Sequence, residues 1–184
     1  GLMPGKGGIV RLTREIGIEQ TLDFLLFEKS SNIKSLVEKG VLQNSANSLD
    51  ELTSLAESFI NENQKCKQPW DVKDYKIPGG ASYQNDNPII IADYSARVFK
   101  KNLRNYPVYE AIISTVTEGA SLSFDSASKV ESRYYVELVT GDVSKTLLGA
   151  HFFQRGKINS GYYRPKNQFK NEFSKIGVLG SGLM

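Results

Sequence analysis

Glycine and proline cut this chain into lengths that suit short helices and tight turns and little else. Pro4-Gly5 and Gly7-Gly8 lead into the apolar run Ile9 to Ile16, which Gly17 breaks; Gly40, Gly119, Gly141 and Gly156 each follow a stretch whose apolar residues recur at helical spacing. Glycine takes left-handed and exposed backbone without a Cβ penalty, which suits it to ending helices. Between these stops the apolar residues fall three and four positions apart. A mainly α chain is predicted.

Capping chemistry sharpens the individual helices. Ser48 and Glu51 have the spacing of a capping box, in which serine accepts from the amide three residues on and the glutamate reaches back to the serine amide. Leu49, Leu52, Leu55, Ala56, Phe59 and Ile60 then mark one helical face. The segment Glu19–Lys29, with Leu22, Phe24, Leu25, Leu26 and Phe27, is too apolar to keep a side in water and is expected to be buried on several sides. Pro107 suits a first helical turn, and Ile112, Ile113 and Val116 continue that helix towards Gly119. Asp125 is read as the cap of the next helix, with Ala127, Val130, Tyr134 and Leu138 on one stripe, and Asp142 as the cap of a third carrying Leu147, Leu148, His151, Phe152 and Arg155. From Gln64 to Tyr94, Pro69, Pro78, Gly79, Gly80 and Pro88 interrupt any regular element, so an irregular connection is expected there, anchored by Trp70 and Tyr75.

Composition narrows the function classes. The chain has 184 residues, 40% hydrophobic and 23% charged, in the range of a globular protein. Its densest apolar run, Leu22 to Phe27, contains Asp23 and falls well short of the roughly 18 residues of a membrane span. A net charge of +3, from 23 basic and 20 acidic residues, names no polyanionic partner; Lys100, Lys101 and Arg104 read as a solvated face, and no nucleic-acid motif accompanies them. Cys66 is the only cysteine and His151 the only histidine, which excludes an intrachain disulfide and leaves nucleophilic or zinc chemistry without partners. Glu131 and Glu137 lie out of helical phase and do not form an acid/base pair by themselves.

The last residues carry the most specific motif. Ile176-Gly177-Val178-Leu179 reads as an apolar strand, and Gly180-Ser181-Gly182-Leu183-Met184 follows it as the beginning of a dinucleotide fingerprint. There the first glycine permits the turn, the second lets backbone approach a pyrophosphate, and amides at the start of the next helix hold it. The plainer alternative is a glycine-rich tail.

The first and last segments resemble parts of one family. Gly1-Leu2-Met3-Pro4-Gly5-Lys6-Gly7-Gly8-Ile9-Val10-Arg11-Leu12 is similar to the turn and helix that follow the second catalytic glutamate in the crotonase, or enoyl-CoA hydratase, superfamily, and Ile33 to Leu42 resembles a later helix and exit of that fold. Pro69-Trp70-Asp71, Ile77-Pro78-Gly79-Gly80, Tyr106-Pro107 and Glu131 to Gly141 resemble the region beyond the hydratase domain in multifunctional fatty-acid β-oxidation proteins, whose NAD-binding domain opens on a motif like Gly180 to Met184.

The resemblance implies an internal segment: residues 1–63 as the C-terminal part of the crotonase domain, 64–105 as an irregular connection, 106–174 as a helical linker region packing on the hydratase domain, and 175–184 as the first strand and loop of a truncated Rossmann domain. It implies a parent that hydrates trans-2-enoyl-CoA and oxidises 3-hydroxyacyl-CoA with NAD, with a thiolase β-subunit as a possible partner. The compartment would be cytoplasmic in a bacterium and an organelle in a eukaryote. No catalytic side chain is carried over. Gly5 matches the glycine whose N–H faces the water held by the paired glutamates, and Gly180, Ser181, Gly182, Leu183 and Met184 match the cofactor loop. Lys6 departs from the small residue usual at its position. The isolated segment is expected to be inactive, and the rival reading is a non-catalytic helical binding or scaffold module.

Overall fold

Glycine stops and capping residues set where the helices begin and end. In the computed structural model, which describes residues 1–27, 31–165, 173–180 and 182, the regular structure is helical throughout. Helix α1 (Gly8–Ile16) ends at Gly17, and α2 (Ile18–Leu26) starts immediately after it. Gly17 makes this junction possible: its φ of +82° with ψ of 177° is a conformation that side chains rarely adopt, and a Cβ there would stand 2.5 Å from the Pro78 carbonyl oxygen. The part of the second apolar segment at residues 28–30 lies outside the described residues.

Helix α3 (Ile33–Glu38) is capped by Asn32, whose side chain accepts from the Ser35 amide, and Gly40 at φ +75° lets the chain turn back. Helix α4 (Leu49–Glu62) begins at Ser48, whose hydroxyl accepts from the Glu51 amide at 3.2 Å. The return bond differs from the expected box: Glu51 accepts from the Asn47 amide at 2.8 Å instead of that of Ser48, which extends the cap by one residue. The apolar side of α4, including Leu49, Leu52, Phe59 and Ile60, is exposed.

The expected irregular connection over 64–105 needs correction. Its first part holds only a 3₁₀ turn, Pro69–Asp71, but Asn87–Asn102 forms α5, a helix of 16 residues. Pro88 does not break it because it sits in the first turn, where backbone N–H groups have no intrahelical acceptor to lose. The loop ahead of α5 is pinned by the buried Asn87, whose side-chain amide donates to the carbonyls of Gly79, Gly80 and Ala81 at 2.9–3.1 Å. Asn87→Asp replaces that donor with an acceptor facing three carbonyl oxygens. It is expected to destabilise the chain by about 2 kcal/mol, and by more than Asn87→Ala, in urea unfolding.

Helix α6 (Pro107–Gly119) lies at the centre, packed against α1, α2, α5 and α7 (Phe124–Thr140), with α8 (Asp142–Leu148) against α7. Ile9, Ile18, Leu22, Tyr94, Ile112 and Val116 form the middle of the core. Each fully buried aliphatic side chain there contributes about 1.5–3 kcal/mol relative to exposure. The cap of α7 is Ser123, accepting from the Ser126 amide, and Asp125 lies inside the first turn, where a carboxylate still favours the positive helix end. Asp142 is likewise the first helical residue of α8 and not a residue ahead of it.

The chain divides into two units, Gly1–Leu148 and Gly149–Met184. The second widens to a π-helical turn over Gly149–Gln154 and narrows again to α9 (Arg155–Asn159), so Gly156 lies within a helix instead of ending one. His151, Phe152 and Arg155 are exposed. Residues 175–180 carry no regular structure, so the strand expected over 176–179 is absent from the described residues. A strand is held by pairing, and no second strand is described. No helix among the described residues is long and apolar enough to cross a membrane.

Candidate functional site

Nothing in Lys6-Gly7-Gly8 can cap the helix that follows. Gly7, at φ +80°, occupies the N-cap position of α1 with no side chain to offer, and the first turn of α1 has no acidic residue. The missing acceptor arrives from far along the chain. Glu131 on α7 is fully buried; its Oε1 accepts from the amides of Gly7 at 2.6 Å and Gly8 at 3.1 Å, and its Oε2 from that of Val10 at 3.0 Å. One carboxylate thus occupies donors that a helix start leaves open and sits at the positive end of the helix dipole.

Gly5 lies on the other side of the same turn. It is half-buried, its carbonyl accepts a second, longer contact from the Gly8 amide at 3.2 Å, and no group among the described residues accepts its own N–H. A Cβ at Gly5 would stand 3.1 Å from the Tyr135 ring. Tyr135 and Glu131 are one helical turn apart on α7, so a single face of that helix meets both limbs of the turn. Lys6, between them, holds φ at +57°, and its carbonyl accepts from the Arg11 guanidinium at 2.7 Å. Met3 anchors the entry to the turn in the core, within 3.9 Å of the Thr115 hydroxyl.

In the sequence Glu131 stands out beside Glu137 and as the start of the segment 131–141, and neither marks it as a cap. The structure keeps the two apart, with Glu137 exposed, and gives Glu131 a different role. The available signal lay at the other end: a glycine-rich helix start without serine, threonine, aspartate or asparagine leaves its amides to water or to an acceptor from elsewhere in the chain.

The two anchors expected in the irregular connection also meet this layer. Trp70 stacks flat on Phe124, with centroids 5.2 Å apart, and the Tyr75 hydroxyl donates to the Arg14 carbonyl. Arg14 is buried, donating to the carbonyls of Val10 and Leu122 and lying over the Phe124 ring. Burial pushes the Arg14 guanidinium below its usual range and the Tyr75 phenol above its own. These residues line an open cleft of ≈ 880 Å³ that does not include Gly5. Nearby on α6 and α7, Glu118 accepts from Tyr134 and from Arg133, and those hydrogen bonds, that from Tyr134 foremost, hold its carboxyl below the ordinary glutamate range.

Among the described residues, no group of three metal-ligating side chains is present. Cys66 is free and exposed. Of the residues expected to form a cofactor loop, Gly180 is described at φ +88° with open space where a Cβ would lie, and Gly182 is equally open. Ser181, Leu183 and Met184 lie outside the described residues.

No family model matches the chain. A fatty acid oxidation complex subunit alpha from Shewanella loihica is 28% identical over 187 residues, covering 100% of this chain and 26% of the relative. The chain resembles one stretch of such α-subunits from end to end. The subunit from Vibrio campbellii is also 28% identical, with 25% of its length covered, and that from Shewanella amazonensis is 30% identical over 190 residues, with 26% covered. The chain spans about a quarter of the length of the curated relatives it matches.

Proposed function

We propose that this chain is the part of a fatty-acid β-oxidation enzyme that joins an enoyl-CoA hydratase to an NAD-dependent 3-hydroxyacyl-CoA dehydrogenase. The observation that carries this reading is similarity to fatty acid oxidation complex α-subunits along the entire chain, with a glycine turn at one end and a Gly-x-Gly sequence at the other. The whole protein would add water across a trans-2-enoyl-CoA, placing hydroxyl on C3 and a proton on C2, and then oxidise the resulting 3-hydroxyacyl-CoA. A thiolase subunit is its proposed partner.

Gly5 is the residue of this chain assigned to hydration. Its N–H, without an acceptor among the described residues, is free to orient the attacking water, whereas a side chain there would meet Tyr135. On the dehydrogenase side, Gly180 at φ +88° fits the first glycine of a phosphate loop, and Gly182 the second. Backbone from Gly180 to Met184 would hold the NAD pyrophosphate, while bound NAD supplies the hydride acceptor.

The test is a coupled assay on the complete protein containing this stretch. Addition of trans-2-enoyl-CoA and NAD should yield NADH, and the 184-residue chain alone should neither hydrate crotonyl-CoA nor reduce NAD. A complete protein without either activity would overturn the proposal; hydration by the isolated chain would overturn the expectation that its own residues are insufficient.

A further inference from the structure

We infer that α7 is a working part of the hydratase site, with Tyr135 as the positioning residue that holds the Gly5 amide in register. The inference rests on the proposed hydratase role of Gly5 and names a residue that acts through it. Two contacts from one helix face carry it. Glu131 fixes the far limb of the glycine turn by taking the amides of Gly7, Gly8 and Val10, and Tyr135, one turn later, lays its ring against the Gly5 α-carbon, with Cδ2 and Cε2 both 3.1 Å from the position a Cβ would take.

The limb between these contacts is held less firmly by its own conformation. Lys6 and Gly7 are consecutive left-handed residues, and for Lys6, which has a Cβ, that state is sparsely populated. Without the ring, the Gly5 peptide keeps, among the described residues, the bond from Gly8 at 3.2 Å, which Gly8 shares with Glu131. A backbone donor that orients a nucleophile is sensitive to displacement of about 1 Å, which can cost on the order of a hundredfold in rate. The ring is therefore assigned to geometry and not to proton transfer; its hydroxyl is dispensable.

The assignment is tested in the complete protein by comparing Tyr135→Phe with Tyr135→Ala. Phenylalanine should keep hydratase kcat within about twofold. Alanine should lower kcat about tenfold to a hundredfold with KM for trans-2-enoyl-CoA little changed, while NAD reduction with added 3-hydroxyacyl-CoA stays at the wild-type rate. If Tyr135→Ala does not fold, Tyr135→Leu keeps apolar bulk without the flat face and should show the same loss in kcat. Wild-type hydratase rates in a folded Ala or Leu variant overturn the inference, as does a Phe variant as slow as Ala. A wild-type protein with no hydratase activity instead removes the underlying reading of Gly5.

Discussion

Replacing Glu131 by alanine is expected to lower stability by about 3–5 kcal/mol, among the largest single-residue effects in the chain. The amides of Gly7, Gly8 and Val10 all end on this one carboxylate; each buried amide left without an acceptor costs about 1–3 kcal/mol, and among the described residues only Gly8 has a second acceptor, the Gly5 carbonyl. The N-terminal end of α1 then loses its side-chain cap, and the α1–α7 contact loses its polar centre. Glu131→Gln keeps one oxygen acceptor but turns donor hydrogens towards backbone donors, so it should lie between wild type and alanine. Glu137→Ala, at an exposed position on the same helix, should change stability by no more than about 0.5 kcal/mol. Urea unfolding of the three variants checks the order, and a Glu131→Ala variant as stable as Glu137→Ala would show that the buried carboxylate does not hold the turn.

The second large effect belongs to Gly17→Ala, expected to cost about 3 kcal/mol or more, or a Tm decrease of roughly 6–12 °C for a chain of this size. Two penalties combine. At φ +82° and ψ 177° an alanine backbone is strained, and its Cβ would stand 2.5 Å from the Pro78 carbonyl oxygen, a contact with backbone that cannot simply rotate away. Relief requires either the α1–α2 junction to open or the 77–79 turn to withdraw, and both disturb the buried face formed by Ile16 and Ile18. Gly149→Ala, where a Cβ meets nothing within 4 Å, is the control and should be neutral or slightly stabilising in its helix. Thermal unfolding of both variants decides the matter; equal Tm values would contradict the close approach of Pro78.

What the sequence disclosed was mostly local. Ser48 with Glu51, Pro107, and the stops at Gly17 and Gly141 act within a turn or so of where they stand, and the helices begin and end near them. A proline that breaks a helix interior is acceptable in a first turn, as Pro88 is, and Asp86 at the N-cap of α5 is the start signal that stands directly ahead of it. The capping error at Asp125 has a similar origin: Ser123 and Asp125 are both able caps, and the choice depends on how the chain leaves α6. Glu131 was out of reach for a deeper reason. Its partners lie more than a hundred positions away, and its own surroundings, Val130 and Ser132, contain nothing to mark it as a cap. The glycine turn at residues 5–8 was therefore visible in sequence, while the side chains that shape it, Glu131 and Tyr135, emerge only from the packing of α7 on α1. The apolar segment 176–179 illustrates the converse, since pattern can mark a strand but pairing has to form it.

Through Glu131, α7 and the glycine turn form one unit, which amide hydrogen exchange at Gly7, Gly8 and Val10 reports. The opening amides of a helix ordinarily exchange fast because they have no intrahelical acceptor. Capped by a buried carboxylate, these three should exchange with protection comparable to the core amides of α6 in the wild-type chain and should lose that protection in Glu131→Ala ahead of any global unfolding. Exchange at exposed-loop rates in the wild type, or unchanged protection in the variant, would contradict the claim.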